Sequence, residues 1–111
     1  MKHHLRILMA VLLCTCAACA TLVRSDRVDM KELMTSQTLE GAFGRAQRAV
    51  IDAGLQITET HVLAWTFLAG RPTGETVEVR TTRMALGTLV TIKSIPPHDI
   101  TDIVAAYQHE T

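Results

Sequence analysis

Apolar positions along the chain recur with two different periods, and the change between them falls at Gly54. Leu39, Ala42, Phe43, Ala46, Ala49, Val50 and Ala53 return every three or four residues, while Glu40, Arg45, Gln47, Arg48 and Asp52 occupy the other positions. That spacing predicts an amphipathic helix with an alanine-lined face around a single Phe43. Thr38 is placed to cap the first turn, Glu40 suits the positive end, and Gly54 fits the left-handed position past the last turn. Gly41 and Gly44 weaken the helix by about 1–2 kcal/mol relative to alanine, so it depends on docking.

Beyond Gly54 the period falls to two. Leu55 and Ile57, Val77 and Val79, then Val90 and Ile92 alternate with polar neighbours. Arg71-Pro72-Thr73-Gly74, Gly87 and Pro96-Pro97-His98-Asp99 punctuate these runs, which predicts antiparallel strands joined by tight turns. Ahead of the helix, Val28 to Met34 alternates roughly, with Val28, Met30 and Met34 on an inner face that Glu32 interrupts and Leu33 outside. An edge strand tolerates both faults. Ile100 to Tyr107 fits helical spacing through Ile100, Ile103, Val104 and Tyr107, and strand spacing through Ile103, Ala105 and Tyr107. The strand reading is preferred because it extends the hairpins into a meander. One strand, one helix and an antiparallel meander packed on it make an α+β domain.

The N-terminus follows different rules. Lys2 and Arg6 give a cationic start, Ile7 to Leu13 are seven uncharged apolar residues, and Cys14 to Ala20 are all small. This is the layout of a bacterial export signal. The uncharged run from Ile7 to Val23 is 17 residues long, at the lower limit for a retained spanning helix. Cys16-Ala17-Ala18-Cys19 resembles the lipobox of bacterial lipoproteins, with Cys19 as the lipid-modified residue and Cys16 in place of the usual aliphatic residue. Ala18-Cys19-Ala20 offers the competing signal-peptidase site. The expected organisation is a signal peptide over residues 1–18, a lipid anchor and tether over 19–26, and a small α+β domain over 27–111. All three cysteines lie in the exported segment, so neither a disulfide nor a cysteine metal cluster is expected in the domain.

Taken together, this lipobox, the Thr38-Leu39-Glu40 helix start, the Ala53-Gly54-Leu55 helix end and the Thr101-Asp102-Ile103 run resemble a family of small bacterial lipoproteins of unknown function. The resemblance spans roughly Val28 to Tyr107. It implies acyl chains on Cys19 and, with Ala20 rather than an aspartate following, the periplasmic face of the outer membrane. A soluble periplasmic or secreted protein is the alternative. The chain departs from the family by its apolar segment Val62 to Ala69 and by its reading without a C-terminal helix. The family supplies no catalytic residues.

Composition narrows the chemistry. The 111 residues are 48% hydrophobic, and eleven basic side chains balance eleven acidic ones, which excludes disorder and a basic nucleic-acid-binding surface. Loss of Lys2 and Arg6 with the signal leaves nine basic against eleven acidic side chains, so charge does not hold the domain to anionic lipid. His61, His98 and His109 stand alone, and no metal-binding spacing occurs in the mature part. Neither a nucleophile elbow nor a phosphate loop is present, and Gly41-Ala42-Phe43-Gly44 lies inside the helix pattern. Asp99 with Asp102, and Glu75 with Glu78, read as solvated edges. No cofactor, metal or nucleic acid is expected.

One segment stands apart as a binding candidate. Val62 to Ala69 has seven apolar residues in eight and holds the chain's single tryptophan. As core it is a strand buried on both faces; as an interface it presents Trp65, Phe67 and Leu68 to a partner or a lipid-like ligand. The leading expectation is a non-catalytic, lipid-anchored envelope protein that binds a partner or supports an assembly. A small apolar-ligand carrier is the alternative, and a hydrolase using dispersed Asp, Glu and His the weaker one. Replacing Cys19 by Ser should abolish acylation, read by metabolic labelling with palmitate. A mature protein that begins at Thr21 and partitions into water would contradict the lipid site.

Overall fold

The computed structural model describes residues 22–23 and 27–110. The signal segment 1–18, Cys19 and most of the tether lie outside the described residues. The order is β1 (Leu22–Val23), β2 (Met30–Thr35), α1 (Leu39–Asp52), β3 (Gln56–His61), a 3-10 turn (Val62–Ala64), β4 (Thr66–Gly70), β5 (Thr76–Met84), β6 (Gly87–Ile95) and α2 (Thr101–His109). The strands form one antiparallel sheet in the order β1-β2-β6-β5-β4-β3. The α+β class and the meander are therefore present, with a second helix beside the first. Among the described residues no helix is long and apolar enough to cross a membrane.

The first helix follows its sequence signals closely. Thr38 Oγ1 accepts the Gly41 N–H at 3.1 Å, and Ala42, Phe43, Ala46, Ala49 and Val50 are buried. At the other end Gly54, at φ +91°, turns the chain so that its N–H donates to Ile51 O and the Leu55 N–H to Val50 O. These two bonds satisfy carbonyls that the end of a helix leaves open. The alanine face brings the helix close to Val77, Val79, Val90 and Ile92, all essentially inaccessible to water.

Three expectations fail, each for a tertiary reason: first, β2, expected at an edge, lies between β1 and β6. Ile100 to Tyr107 is helical, with Ile103, Val104 and Tyr107 buried and Ala105 exposed. The strand position next to β6 that a continued meander needs is already taken by β2. Just ahead of the helix, Asp99 Oδ1 accepts the Thr101 N–H at 2.8 Å. In β2 the inner face is reversed. Leu33 and Thr35 are buried, while Met30, Glu32 and Met34 lie on the open face. Directly paired antiparallel residues share a face, so Val90 and Thr88 on the buried row of β6 bring their partners Leu33 and Thr35 inward.

Polar contacts tie α2 to α1. The Arg45 guanidinium donates to Tyr107 O at 2.7 Å and Gln108 O at 3.2 Å, and lies 4.6 Å from the centre of the Tyr107 ring. A cation on the last carbonyls of a helix complements its negative end. The β5–β6 hairpin is fixed against β2 by Gly87, where an added Cβ would stand 2.2 Å from Thr35 O. On the far side of the sheet the β3–β4 pairing slips between Ile57 and Glu59, a bulge at Thr58.

Phe43 is the largest side chain on the buried face of α1, meeting Trp65 and Phe67 edge-on at centroid distances of 5.4 and 5.6 Å. Phe43→Ala should cost about 3–5 kcal/mol, measured as a shift in the urea midpoint of unfolding.

Candidate functional site

The apolar segment 62–69 does not act as one element. Phe67 and Ala69 are fully buried against the helices, Leu68 is half-buried on the open face beside Glu78, and Val62 and Leu63 face water. Of the three expected interaction residues, Trp65 lines a cleft. Phe67, at 0% exposure, belongs to the core. The division follows from the chain's path: the 3-10 turn ends in Trp65 at φ 51° and ψ 44°, so the strand that follows begins with a new facing.

A left-handed backbone at a bulky aromatic residue is strained by about 1–3 kcal/mol and persists only where neighbours enforce it. Here Thr81 enforces it twice. Its N–H and its hydroxyl each donate to Trp65 O at 2.9 Å, while the Trp65 N–H donates to Val62 O at 3.1 Å. The indole is thereby held edge-on to Phe43, interplanar angle 88°, and forms a wall of an open cleft of about 600 Å³. The other walls are the start of α1, with Leu39 and Glu40, and the β5–β6 hairpin, with Arg83 and Met84. Arg83 makes no ion pair or side-chain hydrogen bond to another described residue. Trp65 is thus both a core contact and a cleft wall.

The tips beside this cleft escape the segment-by-segment reading. Leu63 is 100% exposed and Leu86 is 91% exposed. A signal for Leu86 does exist: Met84-Ala85-Leu86-Gly87 closes a two-residue hairpin turn without the Asn, Asp or Gly usual at its centre.

The dispersed carboxylates and His98 converge at the opposite end of the sheet. Arg71 holds Asp102 with two bonds of 2.8 and 2.9 Å and donates to Asp99 O at 3.2 Å, leaving its buried Nε without a partner. Asp99 accepts from the Thr101 hydroxyl, Glu75 from the Thr73 hydroxyl, and His98 Nε2 lies 3.9 Å from Glu75. The Arg71 bonds hold the Asp102 carboxyl below the usual carboxylate range. The Thr101 bonds do the same for Asp99, and the Thr73 hydroxyl for Glu75. Carboxylates lowered in this way are poor bases and poor proton donors near neutral pH. At the cleft end His61 is 3.2 Å from Glu59, both exposed. Among the described residues no group of three or more His, Cys, Asp or Glu is placed to hold a metal ion. No protein-family model and no curated protein matches the chain.

Arg71 and Asp102 close α2 onto the β4–β5 turn, and the sign of their pH dependence is fixed. Because the folded Asp102 is more acidic than in an unfolded chain, its contribution is present above the ordinary value of about 4 and is lost as pH falls through its lower folded value. About half of Asp102 faces water, so Asp102→Asn should cost only about 1 kcal/mol at neutral pH. The variant should also lose less stability than the parent between about pH 4 and pH 2, measured by urea unfolding at each pH.

Proposed function

We propose that this chain is a non-catalytic envelope protein, carried by acyl chains on Cys19 at the periplasmic face of the outer membrane, whose domain binds a protein partner. The observation that carries the reading is the cleft walled by Trp65. A strained left-handed residue, an arginine without an ion pair among the described residues and the first turn of a helix meet there, and such strain concentrates at functional positions. The mixed lining suits a peptide segment with both apolar and polar side chains. An apolar-ligand carrier is less well supported, because Phe67 and Ala69 fill the helix–sheet core instead of lining a cavity. Hydrolysis is less well supported too, since the carboxylates at the other end are lowered and committed to Arg71, Thr73 and Thr101.

Arg83 is exposed and makes no ion pair or side-chain hydrogen bond among the described residues, so reversing its charge tests the cleft without disturbing the core. Arg83→Glu should reduce recovery of a cross-linked envelope partner about tenfold, a change of roughly 1.4 kcal/mol, with an unchanged melting curve. Lys93→Glu, on the open face of the sheet, should leave recovery as it was. Equal recovery from the parent and Arg83→Glu would remove the cleft from the interaction.

A further inference from the structure

Among the described residues, four of the seven exposed large apolar side chains, Val62, Leu63, Met84 and Leu86, lie at the same end of the sheet. The strand pairing gives that end a common level. Leu22 pairs with Met34, Met34 with Leu89 and Leu89 with Thr82, so these four residues form one rung across β1, β2, β6 and β5. Leu86 lies three residues past this rung, at the tip of the hairpin. The 3-10 turn lies past it as well, since the Trp65 carbonyl is bonded to Thr81, next to Thr82. Cys19 precedes Leu22 by three residues, and three residues of backbone reach at most about 11 Å. β1 runs antiparallel to β2, so Leu22, its first residue, stands at the end of β1 nearer that tip. β1 and β6 have only β2 between them, two strand spacings of about 5 Å each.

From this placement we infer that Leu86 and Leu63, with Met84 and Val62 behind them, form a lipid-contacting tip that enters the surface of the bilayer holding the anchor. The inference rests on the anchored reading of Cys19 and adds the orientation and the contact. Near-complete exposure of two leucines on separate loop tips describes projecting side chains, which suit a soft lipid interface better than a shaped protein pocket. Interfacial segments bury such side chains at the boundary between headgroups and acyl chains. The local charge agrees. No acidic residue stands within two positions of Leu63 or Leu86, and the Arg71, Glu75, Asp99 and Asp102 network lies at the opposite end. Val28, exposed at that opposite end, has Arg27 and Asp29 on either side and their ion pair beside it. The domain without its signal carries two more acidic than basic side chains, so apolar insertion, not charge, is the available attraction to lipid.

Loss of the leucines alone would not release an anchored protein, so the test must read depth. The acylated full chain, with Trp65→Phe to leave one reporter, is reconstituted into vesicles of phosphatidylethanolamine and phosphatidylglycerol with brominated acyl chains. Tryptophan is placed singly by Leu86→Trp, Leu63→Trp or Val28→Trp, and folding of each is checked by circular dichroism. The expected result is co-flotation of all three, with strong quenching and a blue shift at positions 86 and 63 and neither at 28. Co-flotation with no quenching at 86 and 63, or with equal quenching at all three positions, overturns the tip and leaves the anchor standing. A blue shift without quenching means that a protein surface such as a second copy covers the tip, which also overturns it. Failure of the acylated chain to float with vesicles overturns the anchored reading and the tip with it.

Discussion

Phe43 meets two aromatic edges from a helix face otherwise made of alanine and valine, and that contact decides where the rest of the domain sits. Alanines at 42, 46 and 49 let the helix axis approach the valine rows of β5 and β6, but they offer little area of their own. A single ring supplies it. Its two neighbours do different things. Phe67 belongs wholly to the core, whereas Trp65 continues outward to the cleft. The same contact therefore docks the helix and positions a wall of the candidate site, so the cleft is coupled to the packing of α1.

Two arginines hold the second helix at its ends by opposite means. Arg45, from α1, donates to the last carbonyls of α2, adding to the single long backbone bond that Tyr107 O accepts from the Glu110 N–H at 3.3 Å. Arg71, from the β4–β5 turn, grips the carboxylate of Asp102 in the first turn. The apolar residues Ile103, Val104 and Tyr107 lie between these clamps and complete the core. A nine-residue helix gains little from its own propensity, and these contacts supply what local structure lacks.

How much of this was legible depended on whether a segment carried its own instructions. α1 has its period, its Thr38 cap and its Gly54 stop within seventeen consecutive residues, and the structure follows them. The hairpin strands were legible for the same reason. The facing of β2 was not, because two methionines outvote one leucine in the pattern, and the choice is made by Val90 and Thr88 on a distant strand. The helix at 101–109 was ambiguous until β2 was known to occupy the neighbouring place in the sheet. The cleft was illegible in principle. It joins residues 36–40, 65, 83–85 and 87–88, and the left-handed turn that positions Trp65 occurs without a glycine to announce it.

The bulge in β3 bears on how copies of the domain behave when crowded. A sheet with two free edges is a template for joining another sheet, and antiparallel strands of several regular residues are the dangerous ones. Among the described residues one edge is a strand of two residues, too short to guide pairing. The other is β3, where the displaced Thr58 breaks the ladder and Glu59 and His61 place ionisable groups just beyond it. Among the described residues, neither border offers an incoming strand a continuous row of backbone donors and acceptors. The domain can thus expose leucines at its loop tips without its sheet growing into a polymer.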